Sequence, residues 1–216
     1  MVAQTKNKTV AEFFAGIGLM RAGLDRSGWT TTVANDIDPV KRKLYLNHFK
    51  GSGDHFLLED IHKLTGKDIP TVDLATASFP CTDLSLAGRR AGLQGRHSSA
   101  FWGFVDILQS MGDRKPPLIL LENVAGFLTS NNGQDFKDAL TALNRQGYAV
   151  DAFIIDAVHF VPQSRVRVFI VGRHTDEANL KVRHYLPETE LRSAKLVDFI
   201  CQHPEINWHI NTALPQ

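Results

Sequence analysis

A chain of 216 residues with 43% hydrophobic content is long enough to bury one sizeable core. Its 24 Lys and Arg against 23 Asp and Glu leave a net charge of +1, which excludes the overall basic signature that nucleic-acid binding often leaves; any such contact must be local. The two cysteines, Cys81 and Cys201, show no metal-like pairing, so neither a disulfide framework nor a zinc site is expected, and no apolar run has signal-peptide or membrane-spanning length. A reducing, cytoplasmic setting fits these features best.

Short apolar runs alternate with longer segments of helical period, which predicts an α/β fold with a mostly parallel sheet and helices on both faces. In chain order the expected strands are Thr9–Phe14, Thr31–Asn35, Val72–Ser78, Leu118–Glu122, Ala149–Asp156 and Val166–Val171. The intervening helices are expected over Leu19–Arg26, Pro39–Phe49, Ser99–Met111 and Gln134–Gln146. Pro39 suits a first helical turn with Asp38 as its N-cap, and Gly147 suits a helix stop. Beyond Gly172 the pattern weakens, and residues 173–216 read as a linker or the start of a further region, with 1–172 as the main domain.

Several residues carry chemistry. Phe14-Ala15-Gly16-Ile17-Gly18 follows a strand and precedes a helix, so its backbone can turn tightly beneath a ligand that faces helix N–H groups; a purely structural turn has similar standing. Asp36, about twenty residues on at a strand end, can accept hydrogen bonds from ribose hydroxyls, a spacing that serves NAD and S-adenosylmethionine alike. Pro80-Cys81 ends the apolar run Leu74–Phe79 and opens a polar loop, which places a lone thiol at the mouth of the sheet. Cys201 is expected instead to be a buried small hydrophobe. Glu122 ends a second apolar run, as a partly desolvated acid or as a cap for the next helix. Arg165 and Arg167 stand two apart on a strand-like segment, so both point to one face, as a planar donor pair for a polarised carbonyl oxygen, the Glu122 carboxylate or a phosphate, or as a surface pair on an edge strand. The stretch 85–99, with Ser85, Arg89, Arg90 and Arg96, reads as a loop able to close over a phosphate backbone or as a solvated charged loop.

In order and approximate spacing these segments, Phe14-Ala-Gly-Ile-Gly18, Pro80-Cys81, Glu122-Asn123-Val124 and Gln163-Ser-Arg165-Val-Arg167, resemble the DNA (cytosine-5)-methyltransferases over roughly residues 9–172. The resemblance implies a Rossmann-like S-adenosylmethionine-dependent methyltransferase sheet and methyl transfer to C5 of cytosine in double-stranded DNA, through a covalent adduct of Cys81 with C6. It implies Glu122 acting at N3 of the base, Arg165 reaching the base and Arg167 supporting the site. Phe14, Ala15, Gly16, Ile17, Gly18, Asp36, Ile37, Asp60, Ile61 and Pro80 would then hold the cofactor. Ser85, Arg89, Arg90 and Arg96 would meet the DNA as the target base leaves the stack. No metal is implied. Leu19 stands where the family usually has a third glycine, and Thr82 where many relatives carry glutamine. The family's target-recognition region and C-terminal motifs do not fit in residues 173–216, so a truncated form, or one subunit of a split enzyme with a second polypeptide as partner, is expected. The alternatives are a tRNA cytosine C5-methyltransferase and a nonenzymatic cofactor- or nucleic-acid-binding module.

Overall fold

The computed structural model describes residues 8–80, 100–175, 186 and 188–210. Seven strands form one sheet in the order β3-β2-β1-β4-β5-β7-β6, with β1 Lys8–Phe13, β2 Trp29–Asp36, β3 Phe56–Leu58, β4 Leu74–Ala77, β5 Leu118–Val124, β6 Tyr148–Asp156 and β7 Val166–His174. The pairs among β1 to β5 are parallel, and β7 runs antiparallel to both β5 and β6. The expected mostly parallel sheet is therefore present, with the one reversed strand inserted near its edge. Helices α1 Leu19–Arg26, α2 Pro39–His48, α3 Ala100–Met111, α4 Gln134–Arg145 and α5 Ala194–Gln202 connect and cover it. The Asp38 carboxylate accepts from the Val40 and Lys41 N–H groups, the N-cap that Pro39 pointed to. Gly147 follows α4 at φ +92. Among the described residues no helix is long and apolar enough to cross a membrane.

The two faces of the sheet are clothed unequally. One face buries Ala11, Phe13, Ala75, Ala77, Ile119, Leu121, Val168 and Ile170 in a single cluster with Phe101, Phe104 and Leu108 of α3 and Phe136, Leu140 and Leu143 of α4. Leu196, Phe199 and Ile200 of α5, together with Trp208, join the same cluster. The described part of 173–216 thus packs into the core, and α5 and the short strand β3 are elements that sequence periodicity did not locate. Cys201 is exposed on α5, which corrects the expectation of a buried thiol.

On the opposite face, register places Leu120 beside Val171, Glu122 beside Phe169 and Phe153, and Val124 beside Arg167 and Ile155. Val124 is exposed and the others are only half-buried, with Phe153 and Phe169 stacked at 5.7 Å. The helices near this face contribute little: α1 buries none of its residues, and α2 buries Tyr45 alone. A mixed α/β sheet normally carries cover on both faces; here, among the described residues, one face is half dressed, and the candidate site lies along it.

Candidate active site

The site begins where β1 ends. From Phe13 the chain passes through Phe14 at φ +57, Gly16 at φ +57 and Gly18 at φ +87 before α1 starts at Leu19. Left-handed backbone is cheap for the two glycines and costs Phe14 roughly 1–2 kcal/mol, the kind of local strain that gathers at ligand sites. Asp36, at the end of β2, pins the turn: one carboxylate oxygen accepts from Gly16 N–H at 2.9 Å, and the other from Asp38 N–H at 2.9 Å. Lys41 Nζ lies 3.9 Å from the same carboxylate.

Two adjoining cavities flank this turn, with Phe14, Lys41 and Ser78 lining both. The smaller, of about 320 Å³, gathers Asp36, Ile37, Asp60, Ile61 and Pro80. Ile61 is buried, while Asp60 caps a short 3-10 turn by accepting from His62 N–H at 3.0 Å. The larger, of about 620 Å³, gathers Ala15, Gly16, Ile17, Glu122, Arg165 and Arg167, with Ile155, Phe160 and Phe169 as an apolar wall. Leu19, 75% exposed, stands at its rim.

Within the larger cavity Arg167 Nε meets Glu122 Oε1 at 2.8 Å, both side chains about one-fifth exposed. Because Val124 and Arg167 are register partners across β5 and β7, Arg167 reaches diagonally along that face to the Glu122 carboxylate. Arg165 precedes β7; its N–H donates to Asp156 at 2.6 Å, and Ser164 Oγ donates to the same carboxylate at 2.8 Å. These hydrogen bonds, with a third from Val158 N–H, hold Asp156 below the usual carboxylate range. Asn123 points away, to the buried side: its amide donates to the Phe79 carbonyl at 3.0 Å and accepts from Val124 N–H at 2.8 Å. It therefore fixes the backbone two residues before Cys81. Cys81 itself, with Ser85, Arg89, Arg90 and Arg96, lies outside the described residues.

Glu12 is a site residue that sequence reasoning missed. It lines the larger cavity yet is 2% exposed; Oε1 accepts from Arg21 N–H at 3.2 Å, and Oε2 has no hydrogen-bond partner among the described residues. Burial pushes its carboxyl up to about 7, against the opposing hydrogen bond and charge of Arg21. The available signal was a lone carboxylate in an apolar strand immediately before a glycine turn.

The family model for C-5 cytosine-specific DNA methylases matches residues 8–214. The chain belongs to that family. Among its relatives in the family, Type II methyltransferase M.Bsp6I of Bacillus sp. is 34% identical over 166 residues, covering 76% of this chain and 51% of the relative. Type II methyltransferase M.DsaV of Dactylococcopsis salina is 33% identical over 198 residues, covering 91% and 54% respectively. The chain thus spans about half the length of the curated relatives it matches. Among solved structures, the S. pombe Dnmt2 methyltransferase superposes with a TM-score of 0.63 at 25% identity, over 93% of this chain and 56% of that one. The Entamoeba histolytica methyltransferase EhMeth shares the fold, with a TM-score of 0.64 at 23% identity, over 86% and 58%.

Proposed function

We propose that this chain is the cofactor- and base-holding part of a DNA cytosine C5-methyltransferase. The observation that carries this reading is one cavity lined both by the Glu122–Arg167 ion pair and by Gly16, Ile17 and Leu19 of the turn. A group held on the turn and a base held by Glu122 would meet there.

The residues fit S-adenosylmethionine. Asp36 and Asp60 offer acceptors beside the apolar Ile37 and Ile61, as a ribose and a purine require, and Glu12 lines the larger cavity with Oε2 unpartnered among the described residues. When bound, that cofactor supplies a sulfonium-activated methyl group. The chain does the rest. Cys81, as the thiolate, adds to C6 of the cytosine, because C5 is a poor nucleophile until the ring is saturated there. Glu122 donates a proton or hydrogen bond to N3 and so stabilises there the electron density that addition at C6 pushes into the ring. Arg167 keeps that carboxyl oriented, and Arg165, on the same cavity, meets the base oxygen. C5 then takes the methyl group; loss of its proton and elimination at C6 return the free thiol of Cys81.

Ser85, Arg89, Arg90 and Arg96 are proposed to contact the DNA around the extruded base. The residues that complete the fold and read the sequence are proposed to come from outside residues 1–216, in a longer form or a second polypeptide. The half-dressed sheet face supports that reading, because Leu120, Phe153, Phe169 and Val171 sit on strands whose other face buries Ile119, Leu121, Ala152, Val168 and Ile170.

The test is transfer of labelled methyl from S-adenosylmethionine into mixed-sequence duplex DNA and into transcribed tRNA, with and without the C-terminal half of a relative. Cys81→Ser is the control. Incorporation into DNA that the variant abolishes is expected. Substantial incorporation by Cys81→Ser rejects the nucleophile, and labelling of tRNA alone changes the acceptor.

A further inference from the structure

Helix α1 begins at the glycine turn, and its first residues, Leu19 and Met20, line the larger cavity, yet it buries none of its residues. The apolar burial that anchors α3, α4 and α5 is therefore weaker on α1, and a polar anchor has a place there. Arg21 occupies that position. Its N–H donates to Glu12 at 3.2 Å, and its Nη1 lies 2.9 Å from Tyr45 Oη, 2.8 Å from Ser52 Oγ and 3.1 Å from His55 Nε2. Its Nε bonds Asp25 at 3.2 Å, and its guanidinium carbon sits 4.1 Å from the centroid of the Phe49 ring. Charge-assisted hydrogen bonds and cation–π contact at a site this sheltered are among the stronger polar interactions a helix can use.

The same rings form the surface beneath the turn. A Cβ added at Gly18 would lie 2.3 Å from Phe49 Cε2 and 2.9 Å from Tyr45 Cδ2, so the turn rests directly on them. Tyr45 and Phe49 pack against each other at 4.8 Å, and Tyr45 Oη also lies 3.3 Å from His55 Nε2. Arg21 Nη1 and Tyr45 Oη thus meet at one imidazole nitrogen, and since a guanidinium can only donate, Nε2 receives it in the tautomer that carries its proton on Nδ1. Burial, helped by the Arg21 charge, lowers the His55 pKa in the same sense.

We infer that Arg21 is a positioning residue for the cofactor turn: it lines neither cavity, and it locks Tyr45 and Phe49 beneath Gly18 while its backbone fixes Glu12. This role rests on the reading that the turn holds S-adenosylmethionine. A guanidinium is required because a lysine ammonium cannot stack on Phe49 and reach Tyr45, Ser52 and Asp25 together.

The experiment compares wild type, Arg21→Lys and the milder Tyr45→Phe by amide hydrogen exchange and by titration with S-adenosylhomocysteine. The reporters are the Gly18 and Ala22 amides, bonded to the Ala15 and Gly18 carbonyls at 2.8 and 3.0 Å. Arg21→Lys is expected to speed exchange at both by about tenfold or more while amides of β5 and β7 keep their wild-type rates. It is also expected to raise the dissociation constant by about tenfold, equivalent to about 1.4 kcal/mol. Tyr45→Phe should move both in the same direction by less. Unchanged exchange in the turn, or a loosened turn with unchanged affinity, would overturn the inference. Failure of wild type to bind counts against the cofactor reading, and the exchange comparison still decides the role of Arg21.

Discussion

Gly18→Ala tests the turn most directly, and its cost follows from two separate terms. At φ +87 any L-residue is strained, by roughly 1–2 kcal/mol. The new methyl would also sit 2.3 Å from Phe49 Cε2 and 2.9–3.0 Å from the Tyr45 ring, well inside contact distance. Phe49 cannot simply swing aside, since Arg21 covers one side of it and Tyr45 another. Overpacking of this kind costs roughly 1–3 kcal/mol. The sum, roughly 2–5 kcal/mol, corresponds to a melting temperature lowered by roughly 4–20 °C in a chain of this size. Gly16→Ala is the internal control: it shares a left-handed φ of +57, but the nearest atom to its Cβ is the Phe14 carbonyl oxygen at 4.0 Å. It should lose only the conformational term. Urea denaturation of both variants, followed by circular dichroism, measures the difference. Equal destabilisation by the two would show that the rings under Gly18 yield freely, and the reasoning about a braced turn would be wrong.

Glu12→Gln should change how stability depends on pH. Burial raises the folded carboxyl from 4.5 to about 7, so the folded state holds the proton more tightly than the unfolded chain and wild type loses stability as pH rises between those values. The variant should equal wild type near pH 4 and exceed it by up to about 3 kcal/mol at pH 8; a constant difference across that range in denaturation experiments would contradict this. Asp151 and Arg192 form a buried pair at 2.7 Å. Asp151→Ala should cost about 3–5 kcal/mol, and adding Arg192→Met should restore part of it, by the same denaturation assay. Glu122→Gln should slow methyl transfer by about a hundredfold or more while cofactor binding stays within twofold, read by single-turnover transfer and calorimetry; full activity would remove Glu122 from the chemistry.

Features governed by local chemistry were legible before any coordinates. Asp38-Pro39 announces a helix start, Gly147 a helix stop, and the Phe14–Gly18 turn a strand-to-helix crossing, because each depends on neighbours a few residues away. The β3 strand was not legible, since Phe56–Leu58 is three residues long and is strand only because β2 lies beside it. Nor could spacing foretell that Arg21, Tyr45, Ser52 and His55 converge, as the sheet alone brings them together. Glu122 and Arg167 were each legible as residues worth watching. The Glu122 carboxylate was one of the groups the arginine pair could meet; that Arg167 is the one to reach it needed the antiparallel register of β5 with β7, a reversal that nothing in the alternation of runs reveals. Cys201 failed for the opposite reason, because a residue type's average burial says little about which side of α5 it faces.

The half-dressed sheet face has a thermodynamic consequence. Phe153, Phe169, Leu120 and Val171 expose apolar area that a covering segment would remove from water, so a segment that binds only the folded chain lowers its free energy. By mass action that gain is about 2.7 kcal/mol when the covering segment is present at a hundred times its dissociation constant. Supplied from a separate molecule, it makes the melting temperature rise with the concentration of its donor; joined in the same chain, it makes the melting temperature independent of dilution.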